Sequence, residues 1–194
     1  LARGIIELAA GLEGRIAVMF TGYTALRQVA QMVAPRLALG DIPLFDQSDG
    51  TSQTALLDNF RAAKRAVLMA VRGFWDEANF TADDLDALIV VRLPFPVPSE
   101  PVYAARADTY RDSSAEFTTP QTVLRFHADI AGLLRGRRRR GVLAILDRRT
   151  ATKDYGKAFL EALPNAQVTS APLEDMPSRA RHWLAGEGEK PVSE

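Results

Sequence analysis

Short apolar runs of strand length alternate along this chain with segments of helical periodicity, and this alternation most constrains the fold. Four such runs lie at residues 15–20, 65–71, 87–91 and 142–146. Their successive apolar side chains are typical of strands that are buried on both faces, as in parallel sheets. Strands separated by helices predict one α/β domain, with five or six parallel strands between two layers of helices.

Turn residues and helical spacing predict the remaining elements. We expect a helix over residues 23–33 that ends before Pro35, and a helix through Phe60 that Thr51 or Ser52 caps. Short strands are expected at residues 42–45, near a sheet edge because of Pro43, and around Val168. A loop or short turn is expected at residues 72–84 and a stiff crossing at 93–98. Further helices are expected at residues 1–12, 101–111, 119–135, 154–163 and 172–184.

Size and charge limit the number of domains and the partners. At 194 residues the chain fits one buried core, which we assign to residues 1–185, followed by a polar tail at 186–194. The 24 basic and 24 acidic side chains cancel, so any contact with nucleic acid must be local. The lack of cysteine fits a reducing cytoplasm, and no apolar run approaches the roughly 20 residues that span a bilayer. We therefore expect a cytoplasmic protein without membrane contact.

Six segments in order along residues 14–165 carry a resemblance to known motifs. They are GRIAVMFTGYTALR at residues 14–27, FWD at 74–76, LPFPVPSEP at 93–101, and the segments at 120–125, 144–149 and 152–160. The first three are similar to motif IV, to the start of motif V (F-W-E-G-x-D-x-x-G) and to the proline-rich crossing of DinG/XPD-type superfamily 2 DNA helicases. The last three resemble the segments on either side of motif VI in that family. The chain therefore resembles the C-terminal, RecA-like lobe of such a helicase.

This resemblance implies a fold, partners and a cofactor. The fold would be the RecA-like sandwich of P-loop NTPases, and a first lobe would hold ATP and Mg²⁺ with a G-x-x-x-x-G-K-[ST] loop. The present chain lacks that loop, because the Gly156 and Lys157 pair has Ala151 at the position of the first glycine and is followed by Ala158. We expect no hydrolysis by this lobe alone, an N-terminal lobe before Leu1, and single-stranded DNA as a partner.

Motif V is altered where the family motif would face its ligands. Asp76 replaces glutamate, Glu77 replaces glycine, Asn79 replaces aspartate and Ala82 replaces the last glycine. A glutamate in place of glycine adds bulk and repels phosphate. The string DEAN at residues 76–79 also resembles the acidic magnesium-binding box of first lobes, but the missing phosphate loop favours an altered motif V. Asp76 and Asn79 remain candidate nucleotide-binding residues, and no metal site is predicted.

Motif VI is altered further. In the family it is Q-x-x-G-R-x-x-R, whose first arginine stabilises charge that develops on the γ-phosphate. Here Ala128, Ala131 and Gly132 replace the glutamine, the glycine and that arginine, and only Arg135 remains. Because a missing arginine finger can lower the rate about a thousandfold, weak turnover at best is expected even beside a competent first lobe. Arg135 is the candidate catalytic residue and a candidate for nucleotide binding.

Candidate contacts to nucleic acid lie in motif IV, at the start of motif V, or in the basic run of residues 135–140: Tyr23, Arg27, Trp75, Arg137 and Arg138. Trp75 is either a core anchor or a platform for base stacking. The basic run is either a solvated turn or a phosphate-contacting patch. Asp147, Arg148 and Arg149 follow a strand, where ligand sites of α/β proteins form, and a structural salt bridge is the alternative for them.

Two functions follow from these expectations. The first is the C-terminal lobe of an ATP-dependent DNA helicase, which contributes half of a nucleotide cleft and half of a track for single-stranded DNA. The second is a catalytically decayed lobe that acts as a nucleic-acid or protein interaction module. A free-standing small-ligand enzyme is the least favoured, because no nucleophile with an adjacent base is found in the sequence.

Overall fold

The computed structural model describes residues 1–134, 140–163 and 166–186. Within these ranges one all-parallel sheet has the strand order β2-β3-β1-β4-β5. The strands are β1 (Arg15–Phe20), β2 (Leu44–Asp46), β3 (Ala66–Val71), β4 (Ala87–Val90) and β5 (Val142–Ile145). The predicted α/β fold, a RecA-like parallel sheet with helices on both faces, is confirmed.

Helices cover both faces of the sheet because side chains of successive strand residues point to opposite faces. Ile16 and Val18 of β1 lie in one apolar cluster with α1 (Ala2–Gly11), α2 (Tyr23–Leu39) and α9 (Met176–Ala185). Ala17 and Met19 lie in the other with α3 (Gln53–Ala62), α4 (Arg72–Ala78), α6 (Thr119–Leu134) and α8 (Gly156–Glu161). The short helices α5 (Pro101–Ala107) and α7 (Arg149–Thr152) lie in the connections around α6 and β5.

The strand register brings the carboxyl ends of all five strands to one side of the sheet. Ile16 of β1 pairs with Val67 of β3 and with Ala87 of β4, and Val90 of β4 pairs with Ile145 of β5. The segments that follow the strands therefore lie side by side. We call this border, formed by the residues that follow each strand and by the first two turns of α2, the carboxyl edge.

Helix α2 is longer than predicted, and the expected end before Pro35 was wrong. Pro35 lies inside the helix, which continues to Leu39. A proline at this position removes the N–H that would bond to the carbonyl oxygen of Gln31. Both residues are exposed, so water can satisfy that oxygen, and Leu37 continues the buried face of the helix.

Two other predictions were wrong for reasons of burial. Residues 72–78 form α4 instead of a loop, because Phe74 and Ala78, one helical turn apart, are both buried. Residues 166–172 contain no strand, and Val168 is 50% exposed. Strand β2 lies at the sheet edge, as Pro43 indicated. None of the helices in the described ranges combines the length and the apolar character needed to cross a bilayer.

Candidate functional site at the carboxyl edge

Arginine and tyrosine side chains line the carboxyl edge. Tyr23 begins α2 just after β1 and is 47% exposed, and Arg27 lies one turn further along the exposed side of the helix. Arg72 directly follows β3 and Arg92 lies two residues after β4. Arg148 lies three residues after β5. Because the strand order is β3-β1-β4-β5, these residues form a row across the edge.

A buried carboxylate joins the segments that follow β4 and β5. Asp147 is 7% exposed, and its Oδ2 accepts hydrogen bonds from the backbone N–H of Leu93 at 2.9 Å and from Nη2 of Arg149 at 2.6 Å. Its Oδ1 accepts a hydrogen bond from the backbone N–H of Arg149 at 3.0 Å. The Arg149 guanidinium also lies over the ring of Phe95, 5.2 Å from its centroid. We call Asp147, Leu93 and Arg149 the Asp147 clasp.

The clasp shifts the pKa values of its charged groups. Burial alone would raise the pKa of Asp147. The hydrogen bonds from Arg149 and Leu93 lower it by a larger amount, so that this pKa lies below its usual value. The hydrogen bond to Asp147 raises the pKa of Arg149 above its usual value. Both groups are therefore charged at neutral pH. Of the two alternatives for residues 147–149, Asp147 and Arg149 form the salt bridge, whereas Arg148 is exposed.

A second ion pair joins α4 to α6. Nε of Arg72 lies 3.0 Å from both carboxylate oxygens of Asp129, whose side chain is 1% exposed. Asp129 belongs to the altered motif VI, and Arg72 lies two residues before the altered motif V. The positive charge after β3 is thus compensated inside the protein. Arg72 was not among the predicted site residues, although its position directly after a strand was a usable signal.

Trp75 makes the contacts of a core anchor. Its Nε1 donates a hydrogen bond to the carbonyl oxygen of Ala70 at 3.3 Å, and its ring centroid lies 4.8 Å from that of Phe80. Phe80 also meets Phe60 edge to face. The indole N–H is thus bonded within the protein, and base stacking by Trp75 stays a prediction.

Asn79 follows the last residue of α4 and has a left-handed backbone conformation that was not predicted from the sequence. Its φ angle is 47°, in the left-handed region, where asparagine is tolerated better than most residues. The side chain is exposed, and Nδ2 donates a 3.4 Å hydrogen bond to the carbonyl oxygen of Glu77. Asp76 lies in α4, and its side chain is outside the described part of the chain. Nucleotide binding by Asp76 and Asn79 stays a prediction.

This backbone conformation predicts opposite outcomes for two substitutions of Asn79. Asn79→Ala is expected to lower the free energy of unfolding by about 1 kcal/mol, because alanine tolerates positive φ poorly. Asn79→Gly is expected to leave it unchanged or to raise it, because glycine adopts this region freely. Urea denaturation of both variants measures the difference, and equal stabilities would contradict the left-handed assignment. Both variants lack the amide, so a loss of nucleotide binding common to both would belong to that group.

The basic run is described only at its end. Arg135, Arg137 and Arg138 lie outside the described residues, and the roles predicted for them stay predictions. The guanidinium of Arg140 lies 4.5 Å from the ring centroid of Trp183, and its Nη1 donates a hydrogen bond to the carbonyl oxygen of that residue at 3.0 Å. Arg140 therefore packs on α9. Over the described ranges, no group of three or more carboxylate or imidazole side chains is arranged to hold a metal ion.

Comparison with known proteins gives consistent matches. Residues 5–166 match the family described as helicase C-terminal domain. The chain is 34% identical over 193 residues to the 3'-5' exonuclease DinG of Bacillus subtilis, a match that covers 97% of this chain and 20% of that protein. It is 32% identical over 173 residues to the ATP-dependent DNA helicase YoaA of Escherichia coli, covering 87% of this chain and 26% of that protein. The chain thus spans about a fifth to a quarter of the length of these relatives.

Proposed function

The chain belongs to the helicase C-terminal domain family, with DinG-type relatives, and from this membership we propose that it is the second RecA-like lobe of an ATP-dependent DNA helicase. The observation that carries the proposal is the row of exposed side chains at the carboxyl edge, which includes Tyr23 and Arg27. Ligands of open parallel α/β sheets bind outside the carboxyl ends of the strands. The region matched to the family contains this edge.

We propose that the edge provides part of a track for single-stranded DNA. Tyr23 and Arg27 lie on the exposed first two turns of α2, so the guanidinium of Arg27 can neutralise a backbone phosphate. Trp75, Arg137 and Arg138 are proposed as further contacts on the basis of the resemblance. An N-terminal lobe would supply the remainder of the track.

The described residues do not provide the side chains that would bind the triphosphate of ATP. Arg72 at the end of β3 is paired with Asp129, and Glu77 places an exposed negative charge near the end of α4. Ala128 and Ala131 offer no polar side-chain atom at their motif VI positions. We therefore propose that the N-terminal lobe holds ATP and Mg²⁺. The present chain would add one wall of the cleft through Asp76, Asn79 and Arg135, and we propose that it is inactive alone.

The Arg72–Asp129 ion pair favours a second candidate function. The carboxylate of Asp129, at a variable position of the altered motif VI, satisfies this arginine internally. Such an arrangement suits a decayed lobe that is kept as an interaction module for nucleic acid or protein. The two candidates share the fold and differ in whether an active first lobe completes the site.

Binding of single-stranded DNA by the chain tests the proposal. We expect micromolar affinity for a fluorescein-labelled oligodeoxythymidylate in anisotropy titrations, weakening with added salt, and ATP turnover at the level of the buffer blank. Arg27→Gln should weaken binding severalfold. Arg36→Gln is the matched control, because it removes the same charge from the exposed side of α2 about 13 Å further along the axis.

Each result bears on a different part of the proposal. The absence of salt-sensitive binding at micromolar protein would exclude the DNA track and leave the protein-interaction module. Equal losses in the Arg27 and Arg36 variants would place the binding away from the start of α2. Turnover of ATP that purifies with the chain would contradict the proposed inactivity of the isolated lobe.

A further inference from the structure

We infer that Arg92 and Arg148 form a two-cation subsite for the backbone phosphates of single-stranded DNA. This inference rests on the proposed function and extends it to residues that neither the motifs nor the resemblance singled out as DNA contacts. It is carried by three observations: the position of the two arginines in the sheet, the clasp that fixes their backbone, and their lack of a compensating charge in the described part of the chain.

The sheet places the two arginines on adjacent strand ends. Val90 pairs with Ile145, so the segments that leave β4 and β5 start at the same level. Arg92 follows Val90 by two residues, and Arg148 follows Ile145 by three. Neighbouring strands lie about 4.8 Å apart, a spacing at which two long arginine side chains can each reach one of two consecutive phosphates.

The Asp147 clasp holds the backbone on which both arginines stand. The N–H that Asp147 binds across the gap between the strands is that of Leu93, the residue next to Arg92. Arg148 lies between the two other members of the contact, Asp147 and Arg149. One buried carboxylate therefore fixes both segments, so less conformational entropy is lost when the two side chains bind a ligand.

The charges of the clasp cancel and leave the two neighbours uncompensated. Arg149 neutralises Asp147 through a 2.6 Å contact. The guanidinium groups of Arg92 and Arg148 are exposed, and within the described ranges neither has a hydrogen bond or a carboxylate partner. In a chain whose 24 basic and 24 acidic residues balance, this is a local excess of positive charge beside a rigid turn.

The position of this excess favours a nucleic-acid strand as the ligand. Strand β1 neighbours β4 in the sheet, so Tyr23 and Arg27 continue the row toward the other side of Arg92. A row of cations along an edge suits a polymer with one phosphate per unit, and guanidinium groups can bind phosphate oxygens through two N–H donors. The proposed track would therefore run across the ends of β1, β4 and β5.

The test compares two double variants of the chain with equal changes in charge. Arg92→Gln/Arg148→Gln removes the proposed subsite, whereas Arg36→Gln/Arg179→Gln removes two exposed arginines from α2 and α9. Anisotropy titrations with labelled oligodeoxythymidylate are repeated at salt concentrations from about 50 to about 300 mM, the range over which phosphate contacts weaken. A parallel arm measures ATP–Mg²⁺ binding.

We expect the first double variant to bind about tenfold more weakly at 0.1 M salt, and its logarithmic salt slope to be shallower by about 1.4, or about 0.7 for each phosphate contact on a single strand. The control should retain the wild-type slope. Each single variant should account for about half of the change, and Arg92→Lys/Arg148→Lys, which keeps the charge, should restore most of the slope. Circular dichroism verifies that each variant is folded. If the double variant does not fold, the salt slopes of the two single variants are compared with that of the wild type instead.

The outcomes separate this inference from the proposed function. If the wild-type chain does not bind the oligonucleotide, the DNA track fails and the subsite fails with it. If the wild-type chain binds and both double variants lose the same amount, the subsite alone is overturned. A loss confined to the ATP–Mg²⁺ arm would likewise overturn it, because the phosphate would then belong to a nucleotide.

Discussion

Replacing Gly156 with alanine is expected to lower the free energy of unfolding by about 3 kcal/mol. A Cβ atom at this position would lie 2.2 Å from the carbonyl oxygen of Thr150 and 2.6 Å from its carbonyl carbon. Both are backbone atoms of α7, so no change of rotamer relieves the contact, and α7 and α8 must move apart. The N–H of Thr150 donates to the carbonyl oxygen of Asp147, so this movement would reach the Asp147 clasp.

Gly73→Ala is the matched control for this prediction. Gly73 also lies in a helix, α4, but a Cβ atom there would have no neighbour within 4 Å. Alanine is favoured over glycine in helices, so the variant should be as stable as the wild type or more stable by up to about 1 kcal/mol. Urea denaturation of both variants at one temperature gives the comparison. A similar change for both would mean that the contact between α7 and α8 does not constrain residue 156.

The sheet was predictable from the sequence because its strands are buried on both faces. A continuous apolar run identifies such a strand without knowledge of the strands beside it. Strand β3 was predicted at residues 65–71 and spans Ala66–Val71, and β4 was predicted at 87–91 and spans Ala87–Val90. Helix α4 was missed because its local sequence, with Gly73 and the polar string at 76–79, favours a loop. Its helical form depends on burial of Phe74 and Ala78 against the sheet, which only the tertiary structure supplies.

The candidate site divides in the same way. Tyr23 and Arg27 were identified because they belong to one continuous motif next to β1. The Arg72–Asp129 and Leu93–Asp147 contacts join residues 57 and 54 positions apart, and they depend on the order of strands in the sheet. Nothing local separates Arg140, which packs on Trp183, from the other arginines of the basic run.

Asp147→Asn is expected to lower the free energy of unfolding by about 3 kcal/mol, because it leaves the partly buried guanidinium of Arg149 without its counter-charge. The amide can still accept a hydrogen bond from Leu93, so the loss should fall short of complete unfolding. Asp154→Asn, an exposed carboxylate on the same connection, is the control and should change stability by less than about 0.5 kcal/mol. Equal effects of the two substitutions would mean that the clasp contributes nothing specific.

The pKa of Asp147 gives this prediction a dependence on pH. Burial raises that pKa, but the hydrogen bonds from Arg149 and Leu93 lower it by a larger amount, so the pKa in the folded state lies below its ordinary value. A carboxylate with a lowered pKa stabilises the fold fully above its unfolded pKa of about 3.9, and the stabilisation is lost as the pH falls through the folded-state pKa. The stability difference between wild type and Asp147→Asn should thus be constant between about pH 7 and pH 5 and shrink below about pH 4. Asp84, whose pKa is also lowered, is present in both proteins and cancels from the difference. A stability difference that stayed the same down to about pH 3, which is about one unit below the ordinary pKa of an aspartate, would contradict this prediction. It would show that the charge of Asp147 is not what holds the ends of β4 and β5 together.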